Sequence, residues 1–249
     1  MEFADVVRSR RMVRTYDPDR PVPQEALLRA LEHARRAPSA GHTQGWDFLV
    51  LARPGDRARF WAAAAAPGTP ADEPAGAAPT APEDPWLRGL RTAPVLVVVL
   101  SDPQRYLDRY AEPDKGWTDR DPDRWPVPYW DVDAGMAALL ILLTAVDEQL
   151  AGCFFGVPGP AHPAVLEAFG VPGGRRIVGV VSLGHPAATD RRSPSLTRGR
   201  RSLGEIVHDG RFGRPWPSGQ RSAAEPGGGQ QPAQPAHGRV QCHGAAGQL

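Results

Sequence analysis

Ala37-Pro38-Ser39-Ala40-Gly41-His42-Thr43-Gln44-Gly45-Trp46 runs directly into Asp47-Phe48-Leu49-Val50-Leu51. The first part is built of small and amide residues and ends on an aromatic. The second, read with Trp46, is a short apolar run suited to a strand over 46–51. Upstream, Ala26, Leu27, Leu28, Leu31 and Ala34 recur at helical spacing, so 24–36 reads as a helix, and Pro23 suits its first turn. Downstream, Pro94 to Leu100 (Pro-Val-Leu-Val-Val-Val-Leu) reads as a strand buried on both faces. Residues 2–9 and 55–65 read as helices, 162–169 as a short helix, 176–183 as a further strand and 203–207 as a last helical turn. Helices alternating with strands give an α+β or α/β sandwich.

Asp131 or Asp133 is expected to cap a long helix running to about Gln149. Its residues are apolar on nearly every side, so it must be buried all round, by this chain alone or with a second subunit over one face. The segment 66–86 is rich in Ala, Pro and Gly and reads as a mobile insertion. A second insertion, 103–129, is polar but carries Tyr106, Tyr110, Trp117 and Trp125, and reads as a long loop without regular structure. Loops of this kind are either surface excursions or lids. From about Pro215 the Ser, Gly, Gln, Ala and Pro content is too polar to build a core. The expected organisation is one domain over 1–214 and a disordered tail over 215–249.

The 249 residues are 41% hydrophobic and carry 29 basic against 28 acidic side chains, a net charge of +1. That balance provides no global basic field for nucleic acid. Lys115 is the only lysine and lies in a Pro- and Asp-rich loop, which argues against Schiff-base catalysis. Cys153 and Cys242 are the only cysteines, too few for a disulfide framework or a cysteine-rich metal site, and no His-x-x-x-His spacing occurs. The opening Met-Glu-Phe-Ala-Asp has no apolar signal region, and the run from Met136 to Val146 is about half a membrane span. A cytoplasmic protein with no membrane and no nucleic-acid partner is expected. No Gly-x-Gly-x-x-Gly or Gly-Lys-Ser/Thr phosphate loop is present.

Two arginine clusters flank these elements: Arg10-Arg11-Met12-Val13-Arg14 and Arg198-Gly199-Arg200-Arg201. Guanidinium groups donate parallel hydrogen bonds that match phosphate oxygens. Small residues let backbone approach a flat heterocycle. In an arginine-rich chain each cluster can equally be a solvated basic patch.

Four segments in this order resemble the flavin-dependent nitroreductase family. They are Arg10-Arg11-Met12-Val13-Arg14-Thr15-Tyr16; Ala37 to Trp46; Gln149-Leu150-Ala151-Gly152-Cys153-Phe154-Phe155-Gly156, similar to the turn after the family's central helix; and Arg198-Gly199-Arg200. The likeness covers roughly residues 1–212. It implies an α+β three-layer sandwich with a central mixed or antiparallel sheet flanked by helices, in an intertwined homodimer with shared active sites. It implies FMN as cofactor, with NADH or NADPH as electron donor.

Carried over by position, Arg10 and Arg14 would face the FMN phosphate and the N1–C2 carbonyl region, Arg11 would share the phosphate, and Met12 stands where the family has a small polar residue. Arg198 and Arg200 would close on the phosphate from the C-terminal side. Pro38, Ser39, Ala40, Gly41, His42 and Gln44 would lie against the cofactor of the other subunit. Phe154, Phe155 and Gly156 would pack on the ring, with a backbone N–H reaching flavin N5. His42 replaces the family's Asn and Gly45 its Pro; His42 could donate to the flavin or face solvent. Ser39 and Gln44 could instead cap the loop and strand, and Phe154 and Phe155 could be plain core. Cys153 reads as packing.

Together these imply an oxidoreductase in which the flavin carries hydride and no side-chain acid or base is needed. NAD(P)H would reduce the flavin, and an electron-poor acceptor (a nitro compound, quinone or enone) would then be reduced in a ping-pong cycle. Dehalogenation, flavin fragmentation, dehydrogenation, or a non-catalytic flavin-binding module are the alternatives.

Overall fold

The computed structural model describes residues 1–65 and 84–217. Contacts divide the chain into two compact units, Met1–Pro194 and Ser195–Leu249. Most of the insertion expected over 66–86, and the tail beyond 217, lie outside the described residues.

Four strands build the sheet of the first unit: β1 (Trp46–Leu51), β2 (Val95–Ser101), β3 (Ala151–Phe155) and β4 (Arg176–Gly184). Their order is β1-β2-β4-β3 and every named pairing is antiparallel. The Val-Leu-Val-Val-Val-Leu run of β2 is buried along its whole length, because its alternate side chains serve two different cores. Val95, Val97 and Val99 face α2 (Gln24–Ala34) and α6 (Tyr129–Asp147). Leu96, Val98 and Leu100 face α3 (Pro54–Ala64), α4 (Pro85–Arg91) and α7 (His162–Ala168), through Phe60, Trp61, Leu90 and Val165. Helices therefore cover both faces, giving the expected three-layer α+β sandwich, with the sheet antiparallel rather than mixed.

Three expectations need correction. The helix α6 starts at Tyr129 behind Pro128, so neither Asp131 nor Asp133 caps it. Both aspartates turn sideways into tertiary contacts: Asp131 accepts from Ser101 Oγ at 2.6 Å and pairs with Arg176 at 3.2 Å. Nor does this chain bury α6 all round, since Tyr129, Val132, Met136 and Leu139 are exposed. The segment 151–155, read as part of a turn, is strand β3.

The insertion 103–129 is also more ordered than its composition suggests. It contains α5 (Pro103–Ala111) and a 3-10 turn at Pro122–Arg124. Trp125 is ringed by Tyr106, Tyr110, Trp117, Tyr129 and Trp130 at centroid distances of 4.6–6.0 Å. Edge-to-face rings of this kind hold a loop by apolar burial and quadrupole contact. Segment 84–86, assigned to the first insertion, is the start of α4, where Asp84 accepts from the Trp86 N–H at 2.9 Å.

Candidate active site

The basic segment lies along the outer edge of β3. Val13 N–H donates to Gly152 C=O at 3.1 Å, and Met12 and Gly152 form a parallel bridge. Tyr16 anchors the far end of the segment. It is 1% exposed, its hydroxyl donates to Val13 C=O at 2.7 Å and lies 2.8 Å from Ser182 Oγ, and its N–H donates to Thr92 Oγ1 at 2.8 Å. Burial pushes the Tyr16 phenol far above its ordinary pKa, so it stays a neutral structural pin. Residues 10–14 and 152–156, far apart in sequence, are thus neighbours at one edge of the sheet.

The arginines of this segment have different employments. Arg11 is ion-paired with Asp190, whose carboxylate also accepts the N–H groups of Arg14 at 3.0 Å and Thr15 at 3.1 Å. It therefore serves the fold, and sharing a phosphate would require it to leave Asp190. Among the described residues the Arg14 side chain donates one hydrogen bond, to Met12 C=O at 3.4 Å. Arg10 is half-buried and has no side-chain partner among the described residues. The Met12 Sδ accepts the Phe154 N–H at 3.4 Å, and its side chain packs against both cores.

The two phenylalanines pack their rings against other residues of this chain. Phe155 stacks on Trp61 at 5.7 Å with the planes 9° apart. Phe154 covers Gly179, where an added Cβ would collide with its ring. Gly156, just past β3, is exposed, and a Cβ there would meet nothing within 4 Å. Cys153 is buried, and burial pushes its thiol up, which suits packing rather than nucleophilic attack.

The small-residue segment sits elsewhere, at the start of β1. Gly41, His42 and Gln44 all have positive φ (61°, 56° and 52°), and for His42 and Gln44 this costs on the order of 1 kcal/mol each. Local bonds hold the shape: Gln44 N–H donates to Ser39 Oγ at 2.9 Å, His42 N–H to Ser39 C=O at 3.0 Å, and Thr43 Oγ1 to Ala40 C=O at 2.6 Å. Ser39 is thus a loop-shaping residue. Pro38, His42 and Gln44 remain exposed.

Gly45 is explained by packing, because a Cβ there would fall inside the Tyr106 ring. Gly45→Ala is expected to cost about 1–3 kcal/mol in urea unfolding. Pairing it with Tyr106→Ala should cost less than the sum of the two single changes. Equal additivity would show that the two residues do not meet.

One chain keeps its two segments apart. Trp46 is level with Ser101 and Arg176, whereas Gly152 is level with Leu183. Arg176 to Leu183 spans roughly 23 Å along the strand, and β1 to β3 crosses three strand spacings of about 4.8 Å. Residues 38–44 and 10–14 accordingly lie at opposite ends and opposite edges of the sheet. Arg198 and Arg200 belong to the second unit, where both are exposed and Gly199 has φ 68°. Among the described residues no cluster of three or more His, Cys, Asp or Glu could hold a metal.

Sandwich, sheet order and the arginine segment on the β3 edge define a class, and comparison with known proteins says which. Residues 7–185 match the Nitroreductase family, and the chain belongs to it. It is 38% identical over 53 residues to the "Putative NAD(P)H nitroreductase YdgI" of Bacillus subtilis strain 168, covering 21% of this chain and 25% of that protein. It is 36% identical over 59 residues to the CLA biosynthesis enone reductase of Lactiplantibacillus plantarum, covering 24% and 27%. The matches thus span about a quarter of each curated relative. An FMN-dependent nitroreductase of Clostridium difficile R20291 has the same fold, with TM-score 0.56 and 20% identity over 83% of this chain and 98% of that one.

Proposed function

We propose that this protein is a homodimeric, cytoplasmic, FMN-dependent NAD(P)H oxidoreductase that reduces an electron-poor acceptor (a nitro compound, quinone or enone). The observation that carries the reading is the arginine segment bonded along β3, where Arg10 has no side-chain partner among the described residues and Gly156, just past the strand, is open. These residues fit FMN. Arg10 and Arg14 would hold the phosphate. Because Met12 Sδ already takes the Phe154 N–H, the backbone donor toward the flavin ring falls to Gly156. An amide donor there favours negative charge on the ring and cannot be titrated away. When bound, FMN would supply hydride transfer from NAD(P)H to the acceptor in two half-reactions.

The separation of 38–44 from 10–14 within one chain supports a site assembled from two copies. Segment 38–44 of one copy would lie against the flavin held by the arginines of the other, with the exposed face of α6 as the seam. The aromatic insertion would wall the acceptor side.

Titrating the purified protein with FMN tests the reading. We expect a yellow stoichiometric complex that NADH or NADPH bleaches and menadione or a nitrofuran recolours. Losing one charge-assisted phosphate contact costs about 1.5–3 kcal/mol, so Arg10→Ala or Arg14→Ala should weaken FMN binding roughly 10–100-fold. A protein that stays colourless with FMN added, or a bound flavin indifferent to both nicotinamides, would refute it.

A further inference from the structure

The insertion 103–129 and α6 together grip the segment 38–45 at four places. Asp133 on α6, 2% exposed, accepts the Ala40 N–H at 2.9 Å and the Tyr106 hydroxyl at 2.8 Å on the same oxygen. Arg109 Nε donates to Gly41 C=O at 3.0 Å, and Arg109 is itself fixed by two 2.7 Å contacts to Asp114. The Tyr110 ring lies where a Cβ on Gly41 would come within 2.8 Å, and the Tyr106 ring covers Gly45. Tyr106 has no exposed surface, and burial, reinforced by Asp133, pushes its phenol far above the ordinary range. It therefore remains a hydrogen-bond donor at any working pH.

A run with three positive φ values relaxes unless its surroundings over-determine it. The local Ser39 and Thr43 bonds close the loop on itself. Asp133 and α5 fix it to the rest of the protein, beside the bond from Asp102 N–H to Gly45 C=O at 2.9 Å. The sequence shows no reason for a buried carboxylate at 133, since α6 is otherwise a core helix and Asp133 caps nothing.

We propose that Asp133, Tyr106 and Arg109 are positioning residues. They hold the loop 41–44, left-handed at Gly41, His42 and Gln44, in the one orientation that presents the Gly41 N–H and the His42 and Gln44 side chains to the neighbouring subunit's flavin, so the insertion tunes the cofactor rather than opening and closing over it. The inference rests on the proposed FMN site. Its physical content is that the ring's surroundings favour the reduced, negatively charged cofactor only while these donors are aimed. Loosening the clamp withdraws donors without removing any group that touches FMN.

The test measures the flavin midpoint potential of FMN-loaded dimers carrying Asp133→Ala, Asp133→Asn, Tyr106→Phe or Arg109→Gln. Asp133→Ala is expected to lower the ratio of affinities for reduced over oxidised flavin about tenfold, which is ~30 mV for two electrons. Tyr106→Phe and Arg109→Gln should each give a smaller shift in the same direction. Asparagine keeps an acceptor oxygen for both donors, so Asp133→Asn should restore most of the parent value. Should Asp133→Ala fail to fold, Tyr106→Phe, which removes a single hydroxyl, and Arg109→Gln, at a more exposed side chain, carry the test. Variants that lose melting temperature with an unchanged potential would overturn the clamp and leave Asp133 as a stabilising residue. A parent chain that binds no FMN overturns the functional reading itself, and the clamp with it.

Discussion

Met136→Glu combined with Leu139→Glu should give a folded monomer that has lost its flavin. Tyr129, Val132, Met136 and Leu139 recur at helical spacing on one side of α6 and are 38–48% exposed. Ala134, Ala137, Ala138 and Ile141 are buried against the sheet and α2. An isolated chain gains nothing from leaving such a stripe in water, and burying what remains exposed of each side chain contributes about 1 kcal/mol. In a two-fold dimer the same stripe meets itself, so each substitution acts twice and four carboxylates would have to be desolvated at one seam. Both changed positions are already partly exposed, so the fold should tolerate them. Light scattering should then report half the parent mass. FMN affinity should fall by at least about 100-fold, because both the partner's 38–44 segment and the enclosure it provides are gone. A monomeric parent, or a monomeric variant with parental FMN affinity, would show that one chain completes the site alone.

The interior of the fold was legible because β2 leaves no other choice. A short β-branched run with turn signals on both sides can only be a strand covered on both faces, and β1 has the bounds read from its sequence. The start of α6 was misread because Asp131 and Asp133 look like caps, whereas Pro128 sets the boundary. Nothing local distinguishes an aspartate that caps from one aimed sideways at Ser101 or Tyr106. The helix α5 did leave a signal: Asp102-Pro103 is an N-terminal pair, and Tyr106 and Tyr110 are one turn apart. The surrounding Pro and Asp content outweighed it. Strand β3 was hidden inside a motif read as a turn.

The site was legible only as an ordered set of motifs, and not in its division of labour. That the arginine segment and the 149–156 segment belong to one site follows from the order of segments. That Met12, Phe154 and Phe155 turn inward depends on Gly179 and Trp61, partners distant in sequence that no spacing rule links. Asp190 was invisible for the same reason. It lies in Ala187-Ala188-Thr189-Asp190-Arg191, a loop with no pattern, yet it is the acceptor that shapes the arginine segment.

Asp190→Ala should therefore damage this protein more than any single arginine change in the segment. Its side chain is 1% exposed and receives three donors: the Arg14 and Thr15 amides and the Arg11 guanidinium. Removing one partner of a buried ion pair costs about 3–5 kcal/mol. Arg11 is 36% exposed and can partly rehydrate, so the lower end, about 3 kcal/mol, is expected. At this chain length that is a fall in melting temperature of roughly 6–12 °C. Asp190→Asn keeps the acceptor for both amides and should lose less than half as much. The arginines then separate cleanly: Arg11→Ala should lower stability with FMN affinity nearly unchanged, and Arg10→Ala should weaken FMN with stability nearly unchanged. Scanning calorimetry on the apoprotein beside FMN titration reads both quantities. If Arg11→Ala instead weakened FMN tenfold at parental stability, Arg11 would be a phosphate ligand after all, and its bond to Asp190 would be a resting contact that the cofactor displaces.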